Sequence, residues 1–201
     1  MLVDVARQLF AKNGLDDTTM NDIAVASGKG RRTLYTYFKN KEEIYYAVIE
    51  SELERMSDRM RVVAHKASDC ETRLVNLIYT HLSLIKEAVS RNGNLRAQFF
   101  RDIWTVEKVR KNFDMVEVKL MKEIISEGVA RGVFDVANIS ITVEILHYCA
   151  KGMEVPYIYG RVGEGMGVHM SRPIVRQIVH RAMSPMPTLV HEYNESLRAK
   201  V

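Results

Sequence analysis

Apolar residues recur every three or four positions along most of the chain, and no stretch alternates with the period of two that a strand needs. Leu2, Val5, Ala6, Leu9 and Phe10 share one face of a helix over 2–13, which Gly14 ends. Ile44, Val48, Leu53, Met56, Met60 and Val63 stripe a long helix from Glu42 to about His65. Neither Gly nor Pro interrupts residues 31–92, so that helix should run unbroken for roughly 36 Å at 1.5 Å per residue. Further helices are predicted at 70–91, 95–104 (with Phe99, Phe100 and Trp104), 106–131, 138–160 and 171–183. Asn138 and Ser171 are the expected N-caps, and Gly152 and Pro156 should interrupt the helix over 138–160. The segment 160–169 is a Gly-rich loop, and Pro185 and Pro187 set off a short polar C-terminal stretch. The predicted fold class is all-α.

The densest local information lies between Thr18 and Lys41, TTMNDIAVASGKGRRTLYTYFKNK. Thr19 suits an N-cap, and Asp22 three residues later completes a capping-box-like start. Ile23 and Ala24 give a small apolar face that stops at Ser27-Gly28, where glycine can take the left-handed conformation of a sharp turn. A second short helix, about 31–37, buries Leu34 and Phe38 and leaves Arg31, Arg32, Thr33, Tyr35, Thr36 and Tyr37 on its other side. The pattern is a helix-turn-helix whose outer face is basic, aromatic and hydroxyl-bearing, as the DNA major groove requires.

The run from Ile23 to Phe38, with Gly14 and Thr19 before it and Lys41-Glu42 after it, resembles the DNA-binding domain of TetR-family transcriptional regulators. It departs from the usual family pattern at Lys29, where an apolar residue is common, and at Gly30, where Ser is frequent. The family often carries a basic arm before the first helix, and in this sequence Leu2 already opens that helix, which puts a minor-groove contact from such an arm in doubt. The resemblance implies a helix-turn-helix DNA-binding domain over 1–45 and a helical effector-binding and dimerisation domain over 46–201. It implies phosphate contacts at Tyr37, Lys41 and one of Thr18 or Thr19. The remaining candidates for DNA contact are Lys29, Gly30, Arg31, Arg32, Thr33, Tyr35 and Thr36, with Arg31 and Arg32 early on the helix, where guanine edges come within reach.

Charge sharpens this picture more than composition does. Residues 29–41 hold five Lys or Arg and no acidic residue, inside a segment 1–65 that is neutral overall with ten basic and ten acidic residues. That is a local phosphate footprint on a chain of net charge only +4. Cys70 and Cys149 read as two buried thiols in a cytoplasmic protein, and no apolar run approaches the ~20 residues of a membrane span.

One reading helix covers only a few base pairs, so specific binding to double-stranded DNA implies a symmetric homodimer. Its expected surface, as the family implies, is Ile141, Ile145, Tyr148, Gly152, Ile174, Ile178 and Met183. The family also implies a small-molecule effector pocket in the middle helices, with candidates Tyr79, His81, Phe100, Trp104, Phe113, His147, Cys149 and Tyr157. Aromatics and Met would suit an adaptable apolar or amphipathic ligand, although such stripes also make ordinary core. No catalytic grouping or metal-ligand spacing stands out: His147-x-Cys149 is too sparse for zinc, and Gly163-x-Gly165-x-Gly167 follows no strand. The expectation is a ligand-released repressor and not an enzyme, with no cofactor. The alternatives are a regulator without a natural ligand and an all-helical protein-interaction module.

Overall fold

Side-chain caps and glycine turns set the element ends where the sequence places them. Thr19 Oγ1 accepts from the Asp22 amide, and the Asp22 carboxylate accepts from the Thr19 amide at 2.8 Å, closing a reciprocal box. Asn40 and Asn138 cap their helices through Glu43 N (2.8 Å) and Ile141 N (3.1 Å). Gly28 takes φ +65° at the helix-turn-helix corner, and Gly30 starts the next helix with no side-chain cap. The computed structural model describes residues 2–91, 103–162 and 168–185. Among them the fold is all-α, with eight helices: α1 Leu2–Asn13, α2 Met20–Ala26, α3 Arg31–Tyr37, α4 Lys41–Ala64, α5 Cys70–Arg91, α6 Ile103–Ala130, α7 Ile139–Ile158 and α8 Val168–Met183.

Ala6, Phe10, Ile23 and Leu34 from α1–α3 pack with Ile44, Tyr45 and Val48 at the start of α4. Phe10 meets Tyr45 edge-on, with ring centroids 6.3 Å apart. Farther along the same helix, Leu53, Met56 and Met60 join a core built with α5 and α6. Helix α7 packs on α5 and α6, and α8 lies against α5. There the Tyr79 hydroxyl donates to Ser171 Oγ at 2.9 Å, and Arg176 Nε donates to Glu71 at 2.7 Å.

Several expectations shift. Ser171 is not a cap: α8 already begins at Val168, and the Ser171 hydroxyl serves Tyr79. Gly152 does not interrupt α7, and Pro156, which removes one backbone donor, lies inside its last turn, two residues before the helix ends at Ile158. Helix α6 starts at Ile103, ahead of the expected 106, whereas most of the short helix over 95–104 falls outside the described residues. The same is true of the centre of the Gly-rich loop and of the chain from 186 onward. The two cysteines divide: Cys70 is buried but Cys149 is exposed, so only one fits the buried-thiol reading.

After α6 the chain reverses so that Phe134, itself buried, folds back over Gly128. The amides of Val133 and Phe134 both donate to Gly128 O, at 2.8 and 3.1 Å. A methyl group on Gly128 would overlap the Phe134 ring, which is enclosed and cannot swing aside. Gly128→Ala is therefore expected to destabilise the protein by about 1–3 kcal/mol, the usual cost of overpacking. Thermal unfolding should register this as a drop of roughly 2–4 °C per kcal/mol, whereas Gly152→Ala, where an added methyl meets nothing within 4 Å, should not lower it.

Candidate nucleic-acid interface

Helix α3 is only two turns long and is held from beneath by Leu34, which is fully buried, with Phe38 half-buried after it. Everything else on it faces outward. Arg31, Arg32, Thr33 and Thr36 are exposed, as are Lys29 and Gly30 in the turn, and Tyr35 and Tyr37 are 46% and 70% exposed. Thr36 returns its hydroxyl proton to the helix, 2.7 Å from Thr33 O and 3.1 Å from Arg32 O. It thus offers DNA an acceptor and a methyl group rather than a donor.

Two of the expected phosphate contacts are placed differently. Thr18 is fully buried, and its hydroxyl donates to Gly14 O at 2.7 Å, so it cannot reach DNA; of the two threonines, Thr19 is the exposed one. Lys41 is half-buried, and its ammonium donates to Leu15 O at 2.8 Å and Asp16 O at 3.0 Å.

In the bundle, the side chains expected to line a pocket are mostly packed. Tyr79, His81, Phe113 and His147 are buried, Tyr157 is half-buried, and Cys149 is exposed on the outer side of α7. Phe100 lies outside the described residues, and Trp104 belongs to the first turn of α6. Two histidines instead enter a buried charge ladder. Arg110, Asp114 and Glu117 on α6 face Glu154, Lys151 and His147 on α7, in antiparallel order. Arg110 grips Glu154 with both terminal nitrogens (2.9 and 2.6 Å), Lys151 reaches Asp114 (2.9 Å), and His147 Nδ1 donates to Glu117 (2.6 Å). His81, from α5, closes the ladder. Its Nε2 donates to Glu154 at 2.9 Å, and its Nδ1 lies 2.8 Å from Glu117, close enough to pair electrostatically but off the hydrogen-bonding direction.

Burial by itself would push the His81 imidazole toward neutrality. The close approach of Glu117 and the hydrogen bond to Glu154, with the charges of both carboxylates, outweigh burial and raise it to about 9. Burial likewise works against ionised Glu154, but Arg110 and His81 hold its carboxyl down at about 2. Glu117, kept below the usual carboxylate range by His147 and His81 despite its burial, completes the set. Arg110, Asp114, Glu117, Lys151 and Glu154 were not foreseen, yet the sequence holds their signal. Residues 110, 114, 117 and residues 147, 151, 154 are charged or ionisable positions at the same four-then-three spacing, on stripes that core helices normally keep apolar.

The far side of α7 is apolar and uncovered. Ile141, Ile145 (58% exposed) and Tyr148 stand out beside Gly152, and on α8 Ile174 and Ile178 (62% exposed) are exposed as well. Met183 does not join them, since it is 2% exposed and packs into the chain's own core. A cleft of about 350 Å³ opens between α4 and α6 over Leu53, Ser57, Val109, Phe113 and Val116, with Glu50, Glu54 and Asp58 on its rim. Among the described residues no group of three or more His, Cys, Asp or Glu is arranged to hold a metal, and no helix is long and apolar enough to cross a membrane.

A helix-turn-helix with a basic outer face, joined by one long helix to a larger helical bundle, is the architecture of a DNA-binding transcriptional regulator. Residues 2–48 match the family described as bacterial regulatory proteins, tetR family, and this match, with the relatives below, supports a transcriptional regulator of that kind, whose relatives are not enzymes. It is 23% identical to the transcriptional regulator QacR of Staphylococcus aureus over 156 residues, covering 76% of this chain and 81% of that one. It is 24% identical to the fatty acid metabolism regulator protein of Bacillus subtilis, covering 65% and 68%. A Cytophaga hutchinsonii transcriptional regulator shares the fold with a TM-score of 0.71 at 24% identity, over 92% of this chain and 97% of that one. FadR from Bacillus subtilis, solved with stearoyl-CoA, superposes with a TM-score of 0.64 at 18% identity, over 89% and 95%.

The ladder gives a stability test with a definite sign. The folded state raises His81 above its ordinary 6.5, so its pairing contributes in full below about pH 6.5, and that contribution is lost as pH rises through about 9. The unfolding temperature of the native protein should fall across that window. His81→Gln should unfold at a lower temperature at pH 6 and show a flatter profile between pH 6.5 and 9.

Proposed function

We propose that this regulator reads a two-fold-symmetric operator with helix α3 as a homodimer, and represses until a small amphipathic molecule releases it. The observation that carries the reading is the outer face of α3. Arg31, Arg32, Thr33, Tyr35 and Tyr37 are exposed together on a helix anchored by Leu34, with Lys29 beside them and no acidic residue from 29 to 41. Arg31 and Arg32 sit where a recognition helix meets base edges, and a bidentate arginine–guanine pair supplies about 1–3 kcal/mol of discrimination. Tyr37 and Thr19 are the phosphate contacts, Gly30 lets the backbone approach, and Lys29 adds local positive charge. In this reading residues 1–45 form the DNA-binding unit and 46–201 the effector and dimerisation unit.

The exposed apolar residues of α7 and α8 support the homodimer, because monomers rarely leave such faces to water. Pairing them with their two-fold mates forms a four-helix interface that fixes the separation of the two α3 helices. For the effector, the stearoyl-CoA complex of the Bacillus subtilis FadR supports a molecule with a long apolar part. The cleft between α4 and α6 would bring it directly against the helix that joins both units. A regulator with no natural ligand is the second reading. It draws support from the packed state of Tyr79, His81, Phe113 and His147, which are buried among the chain's own side chains.

Fluorescence polarisation across a salt series tests the reading, with the duplex flanking the gene against random duplex. Sequence-selective, salt-dependent binding is expected, and no binding to any duplex at low salt would refute it. Arg31→Ala should lose about 1–3 kcal/mol on the preferred duplex while keeping its affinity for random DNA. Ile145→Glu combined with Ile178→Glu should give a folded monomer by sedimentation. A variant that stays dimeric would place the interface elsewhere.

A further inference from the structure

The Lys41 ammonium is turned onto the protein's own backbone, and what it holds there has a geometric consequence. Lys41 is the first residue of α4, at the positive end of the helix macrodipole, where a cation is disfavoured. Its amino group nevertheless settles on Leu15 O and Asp16 O, the carbonyls that follow the C-terminus of α1. Lysine is a natural partner for such helix-end carbonyls. The segment carrying them is already knotted: buried Thr18 binds Gly14 O through its hydroxyl, and its amide returns to Leu15 O at 3.4 Å. The next residue, Thr19, caps α2. One side chain therefore joins the end of α1, the start of α2 and the start of α4.

We propose that Lys41 is a positioning residue that ties α4 to the entry of α2, and is not itself a phosphate contact. This rests on the DNA-binding reading above. The chain leaves α3 and reaches α4 through three residues, Phe38 to Asn40, which is the covalent link on one side of the helix-turn-helix. The Lys41–Leu15 bond, between residues 26 apart, adds a second link on the other side. With both in place, α2 and α3 follow α4 as one body. Without the second, the reading helix can rock about its covalent link, and base contacts tolerate only about half an ångström of misplacement. Two of the three ammonium hydrogens are committed to backbone carbonyls, so a phosphate would have to break the tie to engage them fully.

The two roles predict different losses. A phosphate contact is sequence-blind and releases counterions: removing one from each protomer should flatten the dependence of log K on log salt by about 1.8, twice the ~0.9 per phosphate. A tie acts on base reading and leaves the slope alone. The test compares wild type with Lys41→Gln, Lys41→Met and Lys41→Arg, on the tightest duplex selected by the wild-type protein from a randomised library and on random duplex. Lys41→Met and Lys41→Gln should weaken the selected duplex by about 10-fold or more and random duplex by less than about 2-fold, with the wild-type salt slope. Lys41→Arg, which can still donate to both carbonyls, should restore selectivity. Circular-dichroism melts monitor folding, and Lys41→Gln, which keeps one donor, serves should Lys41→Met lose the N-terminal unit. Equal losses on both duplexes with a slope about 1.8 shallower would overturn the tie and return Lys41 to the phosphates. Failure of the wild-type protein to bind any duplex would overturn the DNA-binding reading beneath it.

Discussion

Helix α4 must satisfy two packing problems with one continuous backbone. Its first two turns supply Ile44, Tyr45 and Val48 to the small core under the helix-turn-helix, and its later turns supply Leu53, Met56 and Met60 to the bundle. A core made of α1–α3 alone would be small, and short α2 and α3 would not hold themselves helical in isolation. Both depend on being packed against a longer element. Because that element contains no Gly or Pro, a displacement at its C-terminal half reaches the N-terminal half as a rigid shift and is not absorbed in a hinge.

The bundle end of this coupling is held by charge as much as by apolar contact. Six side chains on α6 and α7 pair across the interface, and His81 closes the set from α5. Desolvating such groups costs about as much as their attraction returns, so the ladder is a poor source of net stability. Its effect is better understood as a constraint on alternatives. Sliding α7 by one turn along α6 would set unlike partners apart and leave buried charges unpaired, which is strongly unfavourable. With its inner stripe committed to ion pairs, α7 carries its apolar surplus outward at Ile141, Ile145 and Tyr148. A helix of this kind is fixed in register from inside and adhesive outside, as a dimerisation helix needs to be.

Together these features describe a chain of fixed distances. In the proposed dimer the exposed apolar residues of α7 and α8 would set one protomer against its mate; within the chain the ladder sets α7 against α6, and α6 packs along α4. Helix α4 in turn carries the helix-turn-helix through its own first turns and through the lysine at its start. Operator recognition by a dimer depends on the spacing of two short helices, and each link in this series fixes part of that spacing.

The helix-turn-helix was legible from residues alone because its determinants are local. Thr19 and Asp22 cap each other within one turn, Gly28 relieves a left-handed corner, and Leu34 with Phe38 marks the inner side of a two-turn helix. Helix existence and most boundaries followed for the same reason. Helical spacing names the residues that share a face but not what covers that face. Hence Met183 went inward while Ile178 stayed outside, Thr18 was buried while Thr19 was not, and Tyr79, His81, Phe113 and His147, expected to line a cavity, were packed. The ladder shows the limit most clearly. Its two charged stripes stand in the sequence at matching intervals, but their partners lie 30 to 44 residues apart, and only the antiparallel packing of α6 on α7 brings each charge to its opposite. Lys41 belongs to the same class: its position in the motif is local information, and the carbonyls that hold it are supplied by a loop 25 and 26 residues earlier in the chain.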